Sequence, residues 1–354
     1  MNILLTIVLL RSGMLTHVWD LVNHLPSSGM KVSVAVNSCS GDLNDSVQKG
    51  NKFLLEKFKN VPVCFYESFQ ELLAFAGKQK AELIHSHSPL TFFSSLDVSQ
   101  RLSLSLVLTL HGTIMWPKFF QGVLGHALRI IAIGPEVARS VGDQYSPIIR
   151  IIYNGIDVEK FRPHTEGTGP VRPLRVLWFG RMNQPSAIGL RALDSAIEKL
   201  RVRGRQIEAH MVGKAEGVTV HNIEVRGWAD NPIPYLNWCH AAFGRGRALR
   251  EAMACGSVGF LLAEGYGGPV RKDWFSSGNY TQLSGSLKHG FSEPDPEVIA
   301  HHLALLDDNE QMLQTLRREA RLTAENYFDV RRMVEKTVQV YREISSPEAN
   351  FKLV

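Results

Sequence analysis

Cysteine is scarce: only Cys39, Cys64, Cys239 and Cys255 occur in 354 residues, with no CxxC pair and no His/Cys ligand spacing among them. That excludes a disulfide framework and a structural zinc motif at the level of sequence, and it points to a reducing, cytoplasmic setting. A lysine-rich tail and an RNA-binding signature are also missing. The formal net charge of +5 is modest; it fits anionic substrates or an anionic membrane surface and gives no reason to expect nucleic acid. Long apolar runs are missing too. The stretch ILLTIVLL stops at Arg11 and has no basic region before it, so a buried parallel strand is expected there, not a signal peptide or a span. No other segment nears the roughly 18 uninterrupted apolar residues that a span requires. Membrane contact, if the protein makes any, is therefore expected to be peripheral, at the inner face. Finally, no Asp-x-Asp pair follows a strand to hold a divalent ion, and no pair of glycosidase-like carboxylates stands out.

What is present is an alternation of apolar runs with helical periods. Asn2–Leu10 reads as a strand covered on both faces, followed by a turn at Arg11-Ser12-Gly13 and a helix through Val18, Leu21, Val22 and Leu25. Further strands are expected at Lys31–Val36, Glu82–His85, Ser105–Leu110 and Arg129–Ile133. Each ends in small or polar residues, the second and third of these in HSHSP and HGT. In an open parallel sheet ligands sit at the carboxyl ends of strands, so the loop at Gly13, His85, His87 and His111 are expected at one edge. The remaining histidines, His17 among them, are taken as structural or solvated. IRIIYNGIDVEKFRP, residues 149–163, then runs from a short strand through the Asn154-Gly155 turn into a Gly/Pro/Thr-rich linker, where the domain boundary is placed.

A second alternation follows: strands at Leu174–Phe179, Ile207–Val212, Ile223–Val225, Ala241–Phe243 and Val258–Leu262, then helices to the end. Gly180-Arg181 and Gly213-Lys214 close two of the strands. The stretch 244–256, GRGRALREAMACG, combines Gly244, Arg245, Gly246 and Arg247 with Glu251 and small residues. Such a composition suits a helix that begins at a bound phosphate, with a carboxylate for ligand hydroxyls; an amphipathic helix with solvated arginines has the same spacing. The fold class expected is α/β, two Rossmann-like domains facing a central cleft, 1–163 and 164–354, with the helix at about 330–344 returning to the first domain.

The runs IIYNGIDVEKFRP, VLWFGRM, REAMACG, HSHSP and the terminal VYREI together resemble the retaining GT-B glycosyltransferases of family 4 over nearly the whole chain. The resemblance implies transfer of a hexose from a nucleoside diphosphate to an acceptor hydroxyl with retention, without a divalent metal or other cofactor, in glycan or cell-envelope synthesis. It implies that Glu251 holds the nucleotide ribose, that Arg181 and Gly180 steady the leaving diphosphate, that Gly13 approaches the donor phosphates, and that His111 lies beside the transferred sugar. Two positions depart from the family pattern. Phe243 stands where members carry a second glutamate, and Ser186 and Ala187 stand where they carry a lysine after the GR pair. Arg245 and Arg247 are the expected compensation at the diphosphate, since arginine binds phosphate through a fork of donors.

Closure about Asn154–Pro163 would keep water from the donor. The acceptor, whether glycan, lipid-linked or small molecule, is expected at the first domain, near Trp116, Lys118, Phe119 and Phe120. The alternatives are a sugar-nucleotide epimerase, which needs acid/base carboxylates, and a sugar-nucleotide-binding or scaffold protein that keeps the fold without the reaction.

Overall fold

The computed structural model describes the chain apart from residues 10–12, 39–57, 165–171, 181–183, 215–216, 276–282 and 346–354. The chain forms two compact units, Met1–Gly155 with Val330–Val354, and Ile156–Asp329. It enters the second unit at Ile156, ahead of the sequence-based boundary at Pro163.

The first unit is built on β1 (Asn2–Ile7), β2 (Lys31–Asn37), β3 (Val63–Tyr66), β4 (Leu83–Ser86), β5 (Ser105–Leu110), β6 (Arg129–Ala132) and β7 (Ile149–Ile151). These pair in the order β3-β2-β1-β4-β5-β6-β7, and every pairing is parallel. The apolar strand runs explain this: side chains alternate across the pleat, and both faces need cover. Ile3, Leu5 and Ile7 point into one core with Val18, Leu21, Met333, Val334 and Tyr341. Leu4 joins the other, with Ile84, Leu106, Phe92 and Val123. The covering helices are α1 (Gly13–His24), α2 (Phe69–Lys78), α3 (Pro89–Leu102), α4 (Trp116–His126), α5 (Pro135–Val141) and the last helix, Val330–Ser345.

β3 and α2 escape the periodicity reading, yet α2 starts at a full capping box in which Ser68 accepts from the Glu71 amide and Glu71 accepts from the Ser68 amide. Ser88 caps α3 with Pro89 in its first turn. Beneath it, buried hydroxyls tie three elements together: Thr6 to Ser95 at 2.8 Å and Ser86 to Thr91 at 2.7 Å.

The second unit contains β8 (Leu174–Phe179), α6 (Gln184–Val202), β9 (Ile207–Val212), β10 (Glu224–Gly227), α7 (Ile233–Trp238), β11 (Ala241–Gly244), α8 (Gly246–Ala254), β12 (Val258–Leu262), β13 (Tyr266–Pro269), α9 (Pro296–Asp308) and α10 (Glu310–Tyr327); the last helix is α11. The sheet order is β10-β9-β8-β11-β12-β13. All pairs are parallel except β12 with β13. A sheet of parallel strands alone was expected; the reversal follows from the short turn in which the Ala263 amide donates to the Gly265 carbonyl, since a parallel return needs a crossover of a dozen or more residues.

In both sheets the strand order reverses once, between β1 and β4 and between β8 and β11. Those are the points where an open α/β sheet leaves a crevice at its carboxyl edge.

Candidate functional site

At the carboxyl edge of the second sheet, β11 ends at Gly244 and α8 begins two residues later. A Cβ on Gly244 would lie 2.6 Å from the Phe179 carbonyl oxygen, so only glycine lets β11 approach the end of β8 this closely. Gly180 has φ +131°, and its amide donates to the Val212 carbonyl at 3.0 Å. A Cβ there would sit 3.4 Å from the Cβ of Ala248, so the Gly180 turn and the first turn of α8 are neighbours. Arg245 is the N-cap of α8 in extended conformation, and Gly246 follows at φ +56°, a left-handed start that glycine adopts without penalty. This places Gly180, Gly244, Arg245, Gly246 and Arg247 around one helix N-terminus, an environment that favours anions.

The helix is held from its other end. Arg321 Nη1 donates to the carbonyls of Ala254, Val158 and Phe161 at 2.8–2.9 Å, and Arg317 Nε donates to the Gly256 carbonyl at 2.8 Å. Cations at the C-terminal carbonyls complement the helix dipole and fix where the N-terminus points. One turn in, Arg247 Nε donates to Glu251 Oε1 at 2.7 Å, with the two side chains 20% and 11% exposed. Arg247 is therefore not splayed into solvent, and Glu251 is an oriented, largely buried carboxylate. Arg250 is buried with its guanidinium 5.1 Å from the Phe328 ring centroid.

Phe243 turns into the core, fully buried and stacked on Phe260 at 4.7 Å and 10°. Ser186 and Ala187 are buried within α6. Lys214 follows β9 and is exposed. Arg181 lies outside the described residues.

At the first unit's edge the geometry gathers histidines. Gly13 is the first residue of α1, exposed and open around its Cα, so it opens a helix where a loop was expected. One turn further, His17 is buried with Nδ1 2.8 Å from Asn154 Oδ1. His87, after β4, places Nδ1 3.4 Å from Nε2 of His111, which follows β5. Ring centroids in the trio are 5.0–5.7 Å apart. His87 Nε2 and His111 Nδ1 are buried and have no hydrogen-bond partner among the described residues. His85 differs: Nδ1 is 2.6 Å from the Tyr341 hydroxyl and Nε2 2.6 Å from Thr109 Oγ1, so both nitrogens are used in tying α11 to the sheet. Burial, and after it the neighbouring imidazoles, holds His85, His87 and His111 well below the usual histidine range. At neutral pH each is an uncharged imidazole with one donor and one acceptor nitrogen.

Sequence reading placed His111 and His87 at this edge and missed His17 and Asn154. Only folding unites those two, since they stand 137 positions apart. Nearby, Trp116 and Phe120 pack on their own unit, with Trp116 Nε1 donating to the Gly112 carbonyl, whereas Phe93, Met115 and Phe119 remain more than half exposed.

Comparison with known proteins agrees with this layout. Residues 11–160 match the model of Glycosyltransferase Family 4. No curated protein matches the sequence. Among solved structures, a glycosyltransferase from Rickettsia africae ESF-5 superimposes with a TM-score of 0.72 at 16% identity, covering 98% of this chain and 99% of that one. Anabaena HepE, crystallised with UDP and glucose, gives 0.67 at 16% identity over 97% and 100%. Sucrose-phosphate synthase from Thermosynechococcus elongatus gives 0.66 at 15% identity over 97% and 98%. Residues 11–160 thus match the Glycosyltransferase Family 4 model, and over nearly its whole length the chain has the fold of these solved glycosyltransferase structures.

Proposed function

We propose that this protein transfers a hexose from a nucleoside diphosphate donor to an acceptor hydroxyl, with retention at the anomeric carbon and without a divalent metal. The observation that carries the reading is Glu251, oriented by Arg247 on a helix whose N-terminus opens at the sheet's carboxyl edge. A carboxylate would repel a bare phosphate, but it suits a ligand that carries ribose hydroxyls beside its phosphates. In this reading Glu251 accepts hydrogen bonds from the ribose. Arg245, Arg181, the Gly180 backbone and the α8 amides meet the diphosphate, and Lys214 adds charge at the same edge. Preorganised charge of this kind is commonly the largest catalytic contribution and needs no metal. HepE, whose structure holds UDP and glucose, supports the donor class.

His111, neutral and with a buried nitrogen that no described residue partners, is assigned to the hydroxyls of the transferred sugar. A departing phosphate oxygen can take the acceptor proton, so no paired carboxylates are required. The acceptor is assigned to the first unit, whose exposed Phe93, Met115 and Phe119 favour one with an apolar portion, a lipid-linked sugar included.

The test is incubation with UDP- and GDP-hexoses in excess EDTA, following nucleoside diphosphate release and the anomeric proton of the product by NMR. Release with an α-configured product from an α-linked donor is expected. Turnover that appears only with added metal, or inversion, contradicts the proposal. One observation favours a second reading, a binding protein without the reaction: Phe243 fills the place of a donor-contacting glutamate and is locked into the core. Nucleoside diphosphate binding without turnover of any donor would select it.

A further inference from the structure

We propose that His17, His87 and His111 form a binding site for one transition-metal dication of the zinc type. One ring nitrogen from each of the three lies within 4.8 Å of the other two. The His87 Nδ1 to His111 Nε2 separation of 3.4 Å is long for a hydrogen bond between imidazoles. It is instead close to the spacing, about 3.3–3.4 Å, of two nitrogens bound tetrahedrally to zinc at about 2.0–2.1 Å.

One further observation points the same way. His17 presents Nδ1 to Asn154 Oδ1, the kind of outer partner that fixes the tautomer of a ligating histidine and turns Nε2 toward a metal. Three histidines leave a fourth position open, and nitrogen ligands without a carboxylate select zinc, cobalt, nickel or copper over magnesium or calcium. The ion is not a cofactor of the transfer. It takes up His111, so on the transferase reading zinc inhibits.

Cobalt(II) titration of the full-length protein, followed by visible absorption and by equilibrium dialysis, tests the site without recourse to activity. The expected result is a visible band of four- or five-coordinate cobalt saturating at one ion per chain, displaced by zinc. Asn154→Ala, which removes no ligand, should weaken cobalt about 10- to 100-fold. His17→Ala and His87→Gln should abolish the band while leaving the far-UV dichroism unchanged. Absence of the band in the wild type, or equal cobalt affinity in all four proteins, overturns the proposal. Should one variant not fold, the other two decide. Zinc binding without inhibition of sugar transfer would leave the site standing and remove His111 from the transfer chemistry.

Discussion

Phe243 and His240 lie on either side of the start of β11, and each carries a measurable consequence. Phe243 is fully buried against Phe260. Phe243→Ala should therefore lower stability by about 3–5 kcal/mol in denaturant titration. Phe243→Glu, which writes the family residue back in, should destabilise further without improving donor turnover, because it buries a carboxylate in an apolar core. His240 accepts from the Arg175 amide through Nδ1. Its pKa is pushed down to about 3 by burial, with Arg175 and Arg317 adding to the shift. The unfolded chain takes up this proton below pH ~6.5, whereas the folded chain resists it until about 3. The contribution of neutral His240 is thus fully present above ~6.5 and is lost as pH falls through that window. Burial of neutral His85, His87 and His111 acts in the same direction. Melting temperature should fall between pH 7 and pH 5, and His240→Asn should make that slope shallower; an unchanged slope would show that His240 is not the group responsible.

Among the elements, those with dense apolar runs were legible and those defined by caps or by company were not. β5, β8 and β9 stand at the residues read from the sequence because each is a six-residue strand with most of its side chains buried. β3 exposes Phe65, and its partner helix α2 announces itself through Ser68 and Glu71 instead of through a long apolar period. β13 was not foreseen because strand direction is set by a turn whose key bond joins backbone groups. The Asn154-Gly155 turn was legible, but its packing was not. A Cβ at Gly155 would stand 2.4 Å from the Cα of Val330, where α11 begins. Backbone cannot yield as a flexible side chain can, so Gly155→Ala should cost about 1–3 kcal/mol in thermal or chemical unfolding. A melting temperature equal to that of the wild type would refute the close approach.

For the molecule as a whole, the chemistry is divided between two sheet edges. The arginines and Glu251 are carried by α8 in the second unit, and the neutral histidines sit at the reversal of strand order in the first. The sequence made the first of these visible because its residues are contiguous. It made the second only half visible, since His87 and His111 end strands whereas His17 lies inside α1 and Asn154 lies at the far end of the unit. The central claim is that α8 and its oriented carboxylate hold a nucleoside diphosphate by charge and hydrogen bonding alone. Isothermal titration of nucleoside diphosphates in EDTA, into the wild type and Glu251→Gln, tests it most directly. At least one diphosphate should bind the wild type, and the substitution should weaken it about tenfold or more, the worth of a hydrogen bond to a charged group. Failure of every diphosphate to bind, or equal affinity in the two proteins, would contradict it.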